Sequence, residues 1–119
     1  MPSAKEILEL RKANRKRLET EAPDLYAGFN EMVKHFYKRG ALDRRDKELI
    51  AVACAVATRC VPCLANHANN AKNAGATRQQ VLEAAAIGVE FGGGASFVVV
   101  RDSLLGFLDE IEAAEPPQA

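Results

Sequence analysis

Apolar residues recur along this chain three and four positions apart, and nowhere do they alternate with polar ones over a run, as a half-buried strand would require. The pattern predicts an all-α protein of about six helices. A first helix is expected from Ser3, a suitable N-cap, to Glu21, with Ile7, Leu8, Leu10 and Leu18 as a sparse apolar side. Pro23 introduces a second, Asp24 to Lys38, carrying Leu25, Phe29, Met32, Val33, Phe36 and Tyr37 and ended by Gly40. Asp43 or Asp46 opens a third that reaches Ala57. The fourth spans Cys60 to Asn73 and stops at Gly75, placed for a left-handed cap. Thr77 and Gln80 form a capping box for a fifth helix rich in small residues, including Ala84, Ala85 and Gly88. Gly92-Gly93-Gly94 breaks it, and a last helix extends from Ala95 to Ala113, leaving Glu115 to Ala119 as a frayed tail.

One segment departs from amphipathicity. Ala95-Ser96-Phe97-Val98-Val99-Val100 is too uniformly apolar for a helix with one wet side, so burial is expected, with cover supplied by another subunit. The β-branched run Val98-Val99-Val100 admits a strand as the competing reading.

Composition narrows the function classes. A chain of 119 residues is expected to form one domain over 1–119, burying roughly 65% of its unfolded surface. Sixteen basic residues balance sixteen acidic ones, so no global field recruits nucleic acid or an anionic membrane. The basic run Arg11 to Arg17 is flanked by acidic residues and reads as a solvated helix face. Neither a membrane span nor a secretory signal is evident, which points to the cytoplasm. Three cysteines, an odd number, argue against a secreted disulfide scaffold and for a reactive pair plus one leftover. Cys54, inside Ala51-Val52-Ala53-Cys54-Ala55-Val56-Ala57, is expected to be a buried small residue.

The reactive pair lies in Cys60-Val61-Pro62-Cys63-Leu64-Ala65-Asn66-His67, with Glu48 upstream. In a helix starting near Arg59, Cys60 and Cys63 stand at i and i+3, with Cα atoms about 5–6 Å apart, close enough for a disulfide. His67 stands one turn beyond Cys63. A helix N-terminus and a neighbouring imidazole both favour a thiolate, the nucleophilic form of cysteine. The imidazole can accept the thiol proton and later protonate a leaving group, while Glu48 orients the ring. Structural zinc is the competing reading for Cys60, Cys63 and His67, with Cys54 or His35 as fourth ligand, although neither belongs to a second ligand pair. Haem attachment is disfavoured because the histidine does not directly follow Cys63. Otherwise His35 has no motif around it, and a surface or core-edge position is its expectation.

The arrangement Glu-x11-Cys-x2-Cys-x3-His, here Glu48, Cys60, Cys63 and His67, resembles the active-site pattern of the alkylhydroperoxidase D (AhpD) branch of the carboxymuconolactone decarboxylase-like superfamily. The resemblance runs from Leu42 to Leu108 and includes Lys47-Glu48-Leu49-Ile50 and Asn73-Ala74-Gly75-Ala76-Thr77. It implies an all-helical fold with the two cysteines at the start of a central helix, assembled as a homotrimer or homohexamer. It also implies a thiol-dependent alkyl hydroperoxide reductase needing neither cofactor nor metal. Cys63 would meet the organic hydroperoxide or hydrogen peroxide, Cys60 would resolve it, and Glu48 and His67 would relay protons through water. An external dithiol, lipoyl- or thioredoxin-like, would restore the pair. One departure stands out: some AhpD proteins carry a histidine between the cysteines, where this chain has Val61-Pro62. The alternative is a disulfide exchanger or redox sensor without peroxidase turnover. Lactone decarboxylation is disfavoured because that chemistry does not use the cysteine pair.

Overall fold

The computed structural model describes residues 2–115, and among these every regular element is helical. The first helix, α1 (Ala4–Glu21), starts where Ser3 Oγ accepts the Glu6 amide at 3.1 Å. Next, α2 (Pro23–Phe36) closes at Tyr37 instead of continuing to Lys38. The cause is Lys47, whose ammonium takes up the carbonyls of Phe36 and Lys38 and turns the chain there. Asp43 supplies the cap of α3 (Arg44–Ala57), its carboxylate accepting the Asp46 amide at 2.9 Å. The fourth helix, α4 (Val61–Asn73), ends at Gly75, whose φ of 99° is the expected left-handed conformation. The capping box of Thr77 and Gln80 opens α5 (Arg78–Gly92).

The C-terminal rod is less regular than expected. It consists of α6 (Gly94–Val99), a π-helical turn over Val100–Leu104, and α7 (Leu105–Ala113). Leu105 N–H bonds back five residues to Val100 O, which widens the turn. Val98, Val99 and Val100 are thus helical, and the strand reading falls. Burial is partial: Ser96 is enclosed, whereas Phe97 and Val98 face outward. Of the expected tail, Pro116 to Ala119 lie outside the described residues.

Packing centres on α3, which lies against both α4 and α5. Val52, Ala55 and Val56 of α3 meet Leu64, Ala65, Ala68 and Ala71 of α4 and Val81 and Ala85 of α5, with Leu104, Phe107 and Leu108 closing the core from the C-terminal rod. Alanine and glycine at these contacts let the helix axes approach. A Cβ on Gly88 would lie 2.4 Å from the Ala53 carbonyl oxygen and 2.9 Å from Val56 Cβ. On Gly92 it would strike Ser96 Oγ and the Ala57 carbonyl. The periphery differs from expectation. Only Ala4 and Ile7 of α1 are buried, and α2 buries nothing, so its apolar stripe faces away from the core. The basic run of α1 is exposed throughout, as a solvated face. Among the described residues, no helix is long and apolar enough to cross a membrane.

The helix contact makes a signed prediction. Gly88→Ala should destabilise the fold by about 1–3 kcal/mol, because backbone and a β-branched side chain oppose the new methyl. Gly28→Ala, on α2 with nothing within 4 Å of its Cβ position, should stabilise by about 0.5–1 kcal/mol through helix propensity alone. Urea unfolding midpoints of the two variants, one lower and one higher than the parent, check both.

Candidate active site

The site begins with an awkward turn. After Ala57 the chain ends α3 through Thr58 and Arg59, and Arg59 adopts φ 57°, a left-handed conformation usually left to glycine. Cys60 N–H then reaches back to Ala55 O at 2.9 Å, so the turn is closed by hydrogen bonding. Such a conformation costs about 1–3 kcal/mol and persists because the surroundings fix it. Here Arg59 Nη1 donates to Gly92 O at 3.2 Å, tying the turn to the end of α5. As a result α4 starts one residue later than the sequence suggests, with Cys60 at its N-cap. Pro62 fits the first turn, where no amide is needed.

Cys60 and Cys63 form a disulfide with Cα atoms 5.2 Å apart, as the i, i+3 spacing requires. Cys60 Sγ also accepts the Cys63 amide at 3.3 Å, the part usually played by a serine or aspartate oxygen. Cys60 is partly buried and Cys63 exposed. His67 follows on the same side of α4, while Leu64, Ala68 and Ala71 take the buried side.

Glu48 lies on the buried stripe of α3 with Val52, Ala55 and Val56, and it is only 2% exposed. Its Oε2 is 2.8 Å from His67 Nδ1. The contact is direct, which corrects the expectation of a water link: at this separation no molecule fits between them. A carboxylate only accepts, so the geometry assigns a proton to Nδ1, and in the neutral ring Nε2 is the acceptor nitrogen. Nε2 has no hydrogen-bond partner among the described residues.

Two further residues complete the site. Tyr37, just beyond α2, stacks on the His67 imidazole with ring centroids 5.7 Å apart and planes inclined by 15°. Burial first, then the nearby Glu48 and Cys54, lifts its phenol above the ordinary pKa, keeping it protonated through the neutral range. In the sequence Tyr37 was one more member of an apolar stripe, and nothing marked it. The other is Cys54, expected to be buried but in fact exposed. The core face of α3 is Val52, Ala55 and Val56, at helical spacing, and Cys54 falls off it. Cys54 instead lines a cavity of about 440 Å³ with Tyr37, Ile50, Ala55, Cys63 and His67. His35 sits on the surface of α2, 3.2 Å from Glu31. No group of three or more metal-ligating side chains occurs among the described residues.

A model of the carboxymuconolactone decarboxylase family matches residues 23–103, from the start of α2 into the π-helical turn. The chain belongs to the carboxymuconolactone decarboxylase family. Among its relatives are an uncharacterized protein of the cox locus of Paracoccus denitrificans, 40% identical over 86 residues, spanning 72% of this chain and 77% of that protein. Another is an uncharacterized protein of Cupriavidus necator, 35% identical over 91 residues and covering 76% and 80% of the two chains. The fold is similar to that of a carboxymuconolactone decarboxylase family protein from Legionella pneumophila, crystallised in apo form, with TM-score 0.82 and 33% identity over 89% of this chain and 95% of that one. A protein from Thermotoga maritima gives TM-score 0.84 at 25% identity, covering 92% and 95%. The all-helical fold is therefore a family fold, and the family includes enzymes.

The states of the three cysteines are directly testable. Trypsin separates them, since Glu48–Arg59 carries Cys54 and Cys60–Lys72 carries the pair. Iodoacetamide applied to the folded, oxidised protein should label the first peptide alone, and after reduction it should label both. The check is peptide mass spectrometry. Label on Cys60–Lys72 before reduction would contradict the disulfide.

Proposed function

We propose that this protein is a thiol-dependent alkyl hydroperoxide reductase of the AhpD type. The observation that carries the reading is a disulfide opening into a cavity shared with an imidazole that a buried carboxylate holds in place. In the reduced protein, His67 Nε2 accepts the Cys63 proton. The Cys63 thiolate attacks the distal oxygen of the hydroperoxide, the O–O bond breaks, and the departing alkoxide takes a proton from His67 to leave as the alcohol. The Cys60 sulfur then attacks the Cys63 sulfenic acid, releasing water and forming the disulfide. An external dithiol, lipoyl- or thioredoxin-like, reduces it again.

The helix terminus and the cavity favour different sulfurs. Cys60 receives the Cys63 amide, whereas Cys63 is exposed at the cavity near His67. The two facts fit one cycle. The incoming dithiol attacks exposed Cys63, and Cys60 leaves as a thiolate stabilised by the amide, a good leaving group for that reason. Val61-Pro62 supplies no histidine to relay a proton to Cys60, so stabilisation of its thiolate falls to the amide alone. An antioxidative role has been suggested for the Thermotoga maritima protein. That amide-stabilised sulfur equally suits plain disulfide exchange, the second reading, in which the pair has no peroxide substrate. A cycle of this kind belongs in a reducing compartment, and we place it in the cytoplasm. Despite the family name, lactone decarboxylation has no use for the pair.

Consumption of an alkyl hydroperoxide with matching oxidation of dihydrolipoamide tests the reading, and dithiol oxidation that ignores peroxide would favour exchange. Cys63→Ser should abolish the reaction. Cys60→Ser should allow one turnover and stop at a sulfenic acid on Cys63 that dimedone traps.

The reading includes a homotrimer or homohexamer. Leu25, Phe29, Met32 and Phe36 on α2 are each at least 45% exposed, an apolar stripe that a second copy would cover. Sedimentation velocity should show an oligomer for the parent and smaller species for Phe29→Glu, with helicity unchanged by circular dichroism. A monomeric parent would remove assembly from the proposal.

A further inference from the structure

We propose that Tyr37 is a positioning residue for His67, and that Lys47 holds it in that role. The inference deepens the peroxidase reading and rests on it in one respect, that His67 serves Cys63 as a base.

The argument starts from what a hydrogen bond can fix. Glu48 captures Nδ1 at 2.8 Å and so holds one atom of the imidazole. A single bond leaves the ring free to swing about it, and with it the direction of Nε2. The Tyr37 ring removes that freedom by lying nearly parallel to the imidazole, 15° off, with centroids 5.7 Å apart. Edge and face are then both constrained, and Nε2 is left directed by two contacts instead of one. The His67 side chain is 21% exposed, so packing from other neighbours does not enclose it completely.

Tyr37 itself needs an anchor, because the helix before it buries no residue. That anchor is Lys47. Its Nζ donates to Phe36 O at 2.9 Å and to Lys38 O, the carbonyls on either side of Tyr37. Lys47 and Glu48 are consecutive on α3, so one turn of helix holds both members of the stack, Lys47 through the Tyr37 backbone and Glu48 through the imidazole. The raised phenol pKa is consistent with a ring set against the site, near Glu48 and Cys54. An uncharged ring throughout the working range is also what a neutral stacking partner requires.

The test separates ring from hydroxyl and positioning from folding. In a tag-free His35→Gln background His67 is the sole histidine, and nitrogen-15 NMR of its ring reports the tautomer. With the Tyr37 ring gone, the swinging imidazole should spend part of its time off Glu48, so Tyr37→Leu should show a mixture of tautomers, whereas the parent and Tyr37→Phe should show the Nδ1–H form alone. Alkylation of Cys63 at pH 7, followed in a Cys60→Ser background, should slow by about tenfold to a hundredfold for Tyr37→Leu, in line with the cost of misplacing a reacting group. Tyr37→Phe should retain the parental rate and pH profile. Lys47→Met keeps the ring but releases its anchor, and it should move both readouts in the same direction; it also serves if Tyr37→Leu does not fold. An unchanged tautomer and rate in Tyr37→Leu would overturn the proposal, as would equal damage from Tyr37→Phe, which would assign the effect to the hydroxyl. An unchanged Lys47→Met would overturn the anchor. If no peroxide is consumed by the parent but the tautomer shift appears, the peroxidase reading fails and the positioning role stands.

Discussion

The arrangement depends on one buried contact, the carboxylate of Glu48 against Nδ1 of His67. A carboxylate on the core face of α3 is costly unless it is hydrogen-bonded. Satisfying it demands that α4 present its histidine at one height and one angle. Cys60, Cys63 and His67 share a side of α4, so fixing the histidine also fixes the disulfide relative to α3. One polar contact thereby adds a directional constraint to two helices that otherwise meet through alanines, valines and Leu64.

Close approach is the second condition. Gly88 and Gly92 let α5 sit against α3 at distances no side chain allows, and Gly92 offers its carbonyl to Arg59. The left-handed Arg59 is the strained point of the fold, and it lies immediately before the reactive pair. The strain has a use. It ends α3 and starts α4 within a few residues, which brings Cys60 to a helix N-terminus and Glu48 within reach of His67.

The periphery is held differently from the centre. The α2 helix contributes no buried side chain, yet the residues just beyond it close the cavity over His67 and Cys63. Its hold on the site runs through the Lys47 ammonium and the Tyr37 ring, both polar or amphipathic, and both from positions that a hydrophobic pattern does not distinguish.

Much of this protein was legible in its sequence. Helical periodicity, the caps at Ser3, Asp43 and Thr77, and the left-handed Gly75 are local effects, and local effects survive folding. The same holds for the disulfide, because i, i+3 spacing in a helix brings two Cα atoms together whatever surrounds them. Glu48 was legible in part, as an acid beside an apolar run at a spacing that a family shares, although its direct bond to His67 was not. What only the tertiary structure decided concerns faces and distant contacts. The run around Cys54 is apolar on every side, so its sequence could not say that Val52, Ala55 and Val56 face the core and Cys54 the cavity. The stack of Tyr37 on His67 joins the turn after α2, which Lys47 sets, to α4, and such a contact leaves no periodic trace. Likewise the apolar stripe of α2 predicts burial but not by what, since the hydrophobic effect has no direction of its own and only the packed molecule shows which faces its core has already filled.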